Sequence, residues 1–253
     1  MIKENETVSI GWCDNGTTDG KFTEGLLSVV LAGPGMGMPI STTIRVQGNQ
    51  IARQRQSLLD HWYDKTKTDW LFWVDSDIVI NPNIWKLLHD TADKETHPMV
   101  SGVYFISKST NGSLPVPMPV IFDDVDEFTV KYHHPLPVDE VLKIDMAGMG
   151  LVVMHRDVVT KLREKYGTDV SFFAENDQKD DKFVGEDISF FRKCKAIDIP
   201  LHAHTGAIAK HMKTTTWDYD YYSLYWSMQL LKEQVHEKKP DLIVPEKKII
   251  LPK

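Results

Sequence analysis

Two aspartates interrupt the apolar run WLFWVDSDIVI at residues 70–80, with only Ser76 between Asp75 and Asp77. Burying an unpaired carboxylate is costly, so such groups sit at strand ends or face a cation or a hydrogen-bonding ligand. Read as one strand, the run sends both aspartates to the same face. Two hard carboxylate oxygens there suit Mg²⁺ or Mn²⁺, and the ion would in turn hold a diphosphate. The plain alternative is a strand-end turn in which Asp77 caps the next helix. A second acidic pair, Glu186 and Asp187 in GEDISFF, opens a predicted helix, whose positive end stabilises carboxylates and keeps them ionised.

A cation belongs to the same set. In VQGNQIARQRQSLLDHWYDKT, Ile51, Leu58, Leu59 and Trp62 share one face of a helix with 3.6 residues per turn. Arg55 falls between their azimuths, whereas Arg53 points to the opposite, solvated side. A guanidinium on an inward stripe needs a partner, and Asp75 or a donor diphosphate would serve.

The elements that must position these groups alternate between strand and helix. A strand over Val8–Cys13 leads to a loop at Asp14, and LAGPGMGMP, residues 31–39, reads as a loop. The 70–80 run is a strand, followed by a helix with Asn81 as N-cap and Pro82 in its first turn. PMVSGVYFIS is another strand. Prolines 115, 117, 119, 135 and 137 break the segment from 108 to about 143 into short edge strands and loops. A strand and helix follow to about Gly167, then the helix from Glu186 and a strand at IPLHAH. This alternation predicts an α/β fold with a mostly parallel central sheet flanked by helices. In such sheets ligands bind beyond the carboxyl ends of the strands, where Asp75 and Asp77 would lie.

Composition narrows the class. Of 253 residues, 42% are hydrophobic and 26% charged, so one sizeable soluble domain can bury its own core. A net charge of −7 disfavours a globally basic nucleic-acid binder, while Lys210, Lys213 and the tail lysines could form a local patch. Cys13 and Cys194 are too few for a disulfide scaffold or a thiolate zinc site. No apolar run approaches the ~20 residues that span a bilayer, and no signal-peptide pattern opens the chain. The expectation is a soluble, cytoplasmic protein.

An apolar strand, then Asp-x-Asp, then IVINPNIWKLL is the pattern of GT-A glycosyltransferases. The sequence resembles them over most of its length, above all the compact single-domain members of family-2 type found in bacteria and phages. The matching pieces run in family order: GWCDNG, ARQRQSLL, WLFWVDSDIVINP, SGVYFISK, MAGMGLVVMHRDV, FFAENDQKDDKFVGEDISFFRKC and HTGAIAKH. The resemblance implies a GT-A core over 1–212 with a C-terminal aromatic helix and tail over 213–253. It implies a nucleotide-diphosphate sugar donor, UDP-linked for preference, and Mn²⁺ or Mg²⁺.

By the same resemblance, Asp75 contacts the nucleotide ribose or the metal, Asp77 binds the metal, and His211 is the third protein ligand. His204 is better read as a half-buried strand residue. Asp187 is the general base of an inverting transfer and Glu186 binds the acceptor. Gly148, in AGMGL, flanks the donor sugar, and Asp14 holds the base or ribose. The family's Asn after the helix arginine is Gln56 here. The acceptor is open: a glycan, a protein, a small molecule, or modified DNA in a phage. The segment 108–140 and AENDQKDDK are candidate acceptor walls. The aromatics Trp217, Tyr219, Tyr221, Tyr222, Tyr225 and Trp226 could pack on the core, stack on a sugar or base, or form a homo-oligomer contact.

Three rivals share some of these features. DSDIV fits the nucleophile motif of haloacid-dehalogenase-type phosphatases, with Asp75 as nucleophile and Asp77 as acid/base, although that motif normally ends the first strand of its domain. A nucleotidyltransferase would need a Gly- and Lys-rich phosphate loop, which the sequence lacks near its start. A nucleotide-sugar or glycan-binding module without catalysis would not need Asp75, Asp77, Asp187 and His211 together.

Overall fold

The computed structural model describes residues 1–108, 116–174, 176–179, 182–213 and 219–238. In chain order the elements are β1 (Val8–Asp14), α1 (Gly20–Ala32), β2 (Ile40–Gln47), α2 (Ile51–Lys65), β3 (Trp70–Val74), β4 (Ile78–Val79), α3 (Pro82–Thr91), β5 (Met99–Val103), β6 (Phe105–Lys108), β7 (Val116–Pro119), β8 (Ile121–Asp126), β9 (Thr129–Tyr132), β10 (Val141–Ile144), β11 (Met146–Ala147), β12 (Leu151–His155), α4 (Arg156–Tyr166), β13 (Asn176–Lys179), β14 (Lys182–Val184), α5 (Glu186–Lys195), β15 (Leu201–Ile208), β16 (Lys210–His211) and α6 (Tyr219–Lys238). One compact unit comprises Met1–Lys108 and Pro117–Lys213; helix α6 belongs to the other.

The larger unit is built on a seven-stranded sheet ordered β10-β15-β5-β12-β3-β1-β2. Five of its strands run the same way, and only β12 and β10 oppose them. The central strand β3, Trp-Leu-Phe-Trp-Val, is buried along its whole length, as a strand covered on both faces must be. The large side chains Trp62, Trp70, Trp73, Trp85, Phe72, Phe172, Phe173 and Phe190 fill the layers on either side. Three of the four indole donors are met, that of Trp62 by Thr68 at 2.9 Å, that of Trp70 by Glu6 at 3.1 Å and that of Trp85 by the Met38 carbonyl at 3.1 Å, whereas the buried Trp73 N–H has no hydrogen-bond partner.

Local chemistry sets the element ends. Asn81 accepts from the Ile84 amide at the start of α3, with Pro82 in the first turn. Asp19 caps α1 in the same way through Lys21. Gly167 takes φ 90° beyond α4, a conformation an L side chain resists.

Several elements differ from expectation. The run 70–80 is not one strand. β3 stops at Val74, residues 75–77 turn, and the Ile78 amide closes the turn on the Asp75 carbonyl at 2.9 Å. The chain then enters β4, which pairs with β16 outside the central sheet. PMVSGVYFIS likewise breaks at Tyr104 into β5 and β6. Val46 and Gln47 belong to β2, and Ile51, at 38% exposed, lies outside the buried stripe of α2.

The topology gathers one edge. β1, β3, β5 and β15 bring their carboxyl ends there. Because β12 runs antiparallel, its amino end arrives at the same place, with Leu151 opposite Val74. Asp14, Asp75, Tyr104 and Gly148–Gly150 are therefore placed along one edge by the sheet, and the β4–β16 pair carries His211.

Candidate active site

Arg55 is the hinge of that edge. It projects from the inward face of α2 and is only 5% exposed. Its guanidinium donates to Asp75 Oδ2 at 2.8 Å and to Glu186 Oε1 at 2.5 Å. Asp75 is thus the partner that the helix geometry demanded, and Glu186 is a second one. Burial alone would favour a neutral Arg55, but Asp75, Asp187 and Glu186 around it raise its pKa and keep it charged. One cation facing three carboxyl groups leaves this corner acidic. Glu186, the expected acceptor-binding residue, is anchored to Arg55 through Oε1.

Asp187 follows a different logic. It opens α5, and its Oδ1 accepts the Ile188 amide at 2.8 Å. Burial pushes its pKa up, and the neighbouring Glu186 and Asp75 add to that, against Arg55 and the Ile188 amide. The start of α5 supplies the Ile188 amide, which favours the ionised carboxyl against the effect of burial. A carboxyl with a raised pKa is suited to taking a proton.

The turn at residues 75–77 sends the two aspartates to different partners rather than to one strand face. Asp75 turns to Arg55, and its other oxygen, Oδ1, is buried without a hydrogen bond. Asp77 Oδ2 lies 3.1 Å from His211 Nε2 and 2.6 Å from Lys213 Nζ. Burial disfavours the Asp77 carboxylate, yet His211 and Lys213 more than compensate and hold its pKa down to about 2. Asp77 does not cap the following helix, since Asn81 does.

His211 has a fixed orientation. Its Nδ1 lies 2.9 Å from the Phe105 carbonyl, which can only accept, so Nδ1 carries a hydrogen. Its Nε2 therefore presents a lone pair toward the Asp77 carboxylate unless a proton or a cation lies between them. A histidine whose far nitrogen is tied to a carbonyl is the usual arrangement of a metal ligand. Asp77 and His211 are donors of the type a divalent ion takes, and Asp75, two residues before Asp77, has an orphaned buried oxygen, Oδ1. Among the described residues, however, no three His, Cys, Asp or Glu side chains are gathered as a ready metal cage. Asp75 stays with Arg55.

The glycines serve packing. A Cβ on Gly148 would fall on the Tyr104 hydroxyl, and one on Gly150 would meet both that hydroxyl and Asp75 Oδ2. Tyr104 is 6% exposed, donates no ladder bond, and accepts the Gly150 amide at 3.2 Å. Its ring meets His211 edge-on at 5.1 Å. Gly148 thus makes room for Tyr104, a residue to which the sequence reading assigned no role.

Asp14 is fully engaged. Its two oxygens accept Arg45 at 2.6 and 2.8 Å, Trp12 at 3.1 Å and the Gly16 amide at 2.8 Å. Arg45, first among these, holds the carboxyl below its usual range. These four donors fix the Asp14 side chain at the end of β1. Gln56 joins α2 to the Phe172 amide at 2.7 Å and to Asp60 at 3.0 Å. His204 is a buried strand residue, as expected. Lys213, read as part of a surface patch, is bound to Asp77. Trp217 and parts of AENDQKDDK lie outside the described residues. No described helix is long and apolar enough to cross a membrane.

No protein-family model and no curated protein matches the chain. Among solved structures, A197 from STIV is similar at 17% identity and a TM-score of 0.51, over 82% of this chain and 86% of that one. GalNAc-T7 with UDP, GalNAc and Mn²⁺ is similar at 11% identity and a TM-score of 0.53, over 94% of this chain. The chain corresponds to about half of that protein, 52% of its length. Identities this low speak for the fold alone, and the fold of this chain is the GT-A fold.

Proposed function

We propose that the chain is a metal-dependent glycosyltransferase that moves a sugar from a nucleotide-diphosphate donor, UDP-linked for preference, to an acceptor hydroxyl with inversion. The observation that carries this reading is Asp187, a carboxyl held above its ordinary pKa at the carboxyl edge of the sheet, beside an acidic corner organised by Arg55. Asp187 would take the proton of the acceptor hydroxyl, and Arg55 keeps Glu186 and Asp75 from drifting into the space where that hydroxyl approaches.

Asp77 and His211 would hold Mn²⁺ or Mg²⁺, with Asp75 near the donor ribose or the ion. When bound, the ion supplies positive charge against the developing charge of the leaving diphosphate. The UDP and Mn²⁺ in the GalNAc-T7 structure support this choice of donor and ion. Phosphatase chemistry through Asp75 is disfavoured, because Arg55 occupies Oδ2 and Oδ1 is buried.

The test is nucleotide release from UDP-, GDP-, TDP- and CDP-sugars with Mn²⁺, with EDTA, and with Asp77→Asn. Slow metal-dependent hydrolysis of one donor, lost in the variant, is the expected result. Phosphate release from a generic phosphoester with no donor hydrolysed would overturn it.

A further inference from the structure

Two groups meet on one carboxylate oxygen of Asp77, Oδ2, and they are not equally held. His211 is fixed by the Phe105 carbonyl, and its side chain is 9% exposed. The backbone of β16 is fixed too: it pairs with β4, and the Met212 amide donates to the Asp77 carbonyl at 2.7 Å. Lys213 is held by its side chain, which is 56% exposed on a four-carbon stem, with Nζ 2.6 Å from Asp77 Oδ2. Residues 211 and 213 lie two apart and reach the same carboxylate.

We infer that Lys213 is a stand-in cation, occupying on Asp77 the place a divalent ion would take, so that the ion binds by displacing it. The inference rests on the reading of Asp77 and His211 as metal ligands. Two positive charges cannot share one carboxylate oxygen at contact distance without strong repulsion. The exposed, flexible ammonium is the one that can move, and a turn of its stem suffices because the β16 backbone stays pinned. Without metal, Lys213 keeps Asp77 neutralised; with metal, it is released into solvent. Apparent ion affinity is accordingly lower than the donor set alone would give. Lys213 ends the larger unit, so this exchange takes place where the chain leaves it.

The experiment titrates Mn²⁺ alone into the full chain, counting free ion by its electron paramagnetic resonance signal, for wild type, Lys213→Met, Lys213→Arg and Asp77→Asn. The exposed lysine leaves the fold intact when replaced, which circular dichroism verifies. Lys213→Met is expected to bind Mn²⁺ roughly two- to fivefold more tightly, the range set by an ion pair of this exposure. Lys213→Arg stays near wild type, and Asp77→Asn loses the site. Unchanged or weaker binding in Lys213→Met, with Asp77→Asn still abolishing it, overturns the displacement and leaves the metal reading standing. Wild-type Mn²⁺ binding in Asp77→Asn overturns both.

Discussion

At the residue scale the decisive group is Asp187, where two demands conflict. A base must be ionised to work, and burial resists the ionisation. The raised pKa means that the folded chain binds a proton more tightly than the unfolded chain does. Stability therefore falls as pH rises through the raised value. Asp187→Asn removes that penalty, so its thermal midpoint should exceed that of wild type at neutral pH. The gain should vanish below about pH 3.9, where both states are protonated. The same variant should lose turnover by roughly 10²–10⁴-fold while still binding donor. In wild type, kcat should fall as pH drops through a limb lying above the ordinary aspartate range. Differential scanning fluorimetry and a pH–rate profile check the two halves. A variant that is both less stable and fully active would remove Asp187 from the mechanism.

At the element scale, Arg55 ties α2 to the end of β3 and to the start of α5, with its side chain 6% exposed. Deleting a buried cation leaves its carboxylates facing each other unpaired, so Arg55→Met should cost about 3–5 kcal/mol in denaturant unfolding. Arg55→Lys should recover only part of that, because a single ammonium cannot present a planar fork to two carboxylates. The inward aim of Arg55 was legible in the sequence because its neighbours Leu58, Leu59 and Trp62 define the stripe. So were the unbroken apolar β3, the Asn81 cap and the start of α5. Helix α1 was not, because Gly20 and Gly25 dilute its pattern; Gly25 is needed where the helix backs closely onto the Ile80 backbone. Nor was β2: Ile40, Ile44 and Val46 do alternate with exposed polar residues along it, but only Ile44 is fully buried on this edge strand, and Thr42 interrupts the apolar side. The turn at 75–77 stayed hidden because an apolar run reads the same whether or not it changes sheets. Lys213 escaped because its partner lies 136 residues away in sequence.

At the scale of the whole molecule, α6 belongs to a different unit from the core. Among the described residues, the buried apolar core runs from Ile2 to Ala209 and includes nothing from α6. On α6 itself, Tyr219, Tyr222, Leu224, Tyr225, Trp226, Met228, Leu230 and Leu231 are all exposed. Aromatic and aliphatic side chains exposed together along one helix favour association, since burying them against a second surface removes them from water. A chain ending at Lys213 should therefore fold as the full chain does, with its thermal midpoint shifted by less than about 4 °C, the equivalent of ~1 kcal/mol for a domain of this size. It should also sediment as a monomer at concentrations where the full chain forms a larger species. Velocity sedimentation beside a melting curve reads both. A truncated chain that unfolds far earlier would show that α6 stabilises the fold through contacts beyond the core described here. Identical sedimentation of the two chains would show that the exposed aromatics serve something other than self-association.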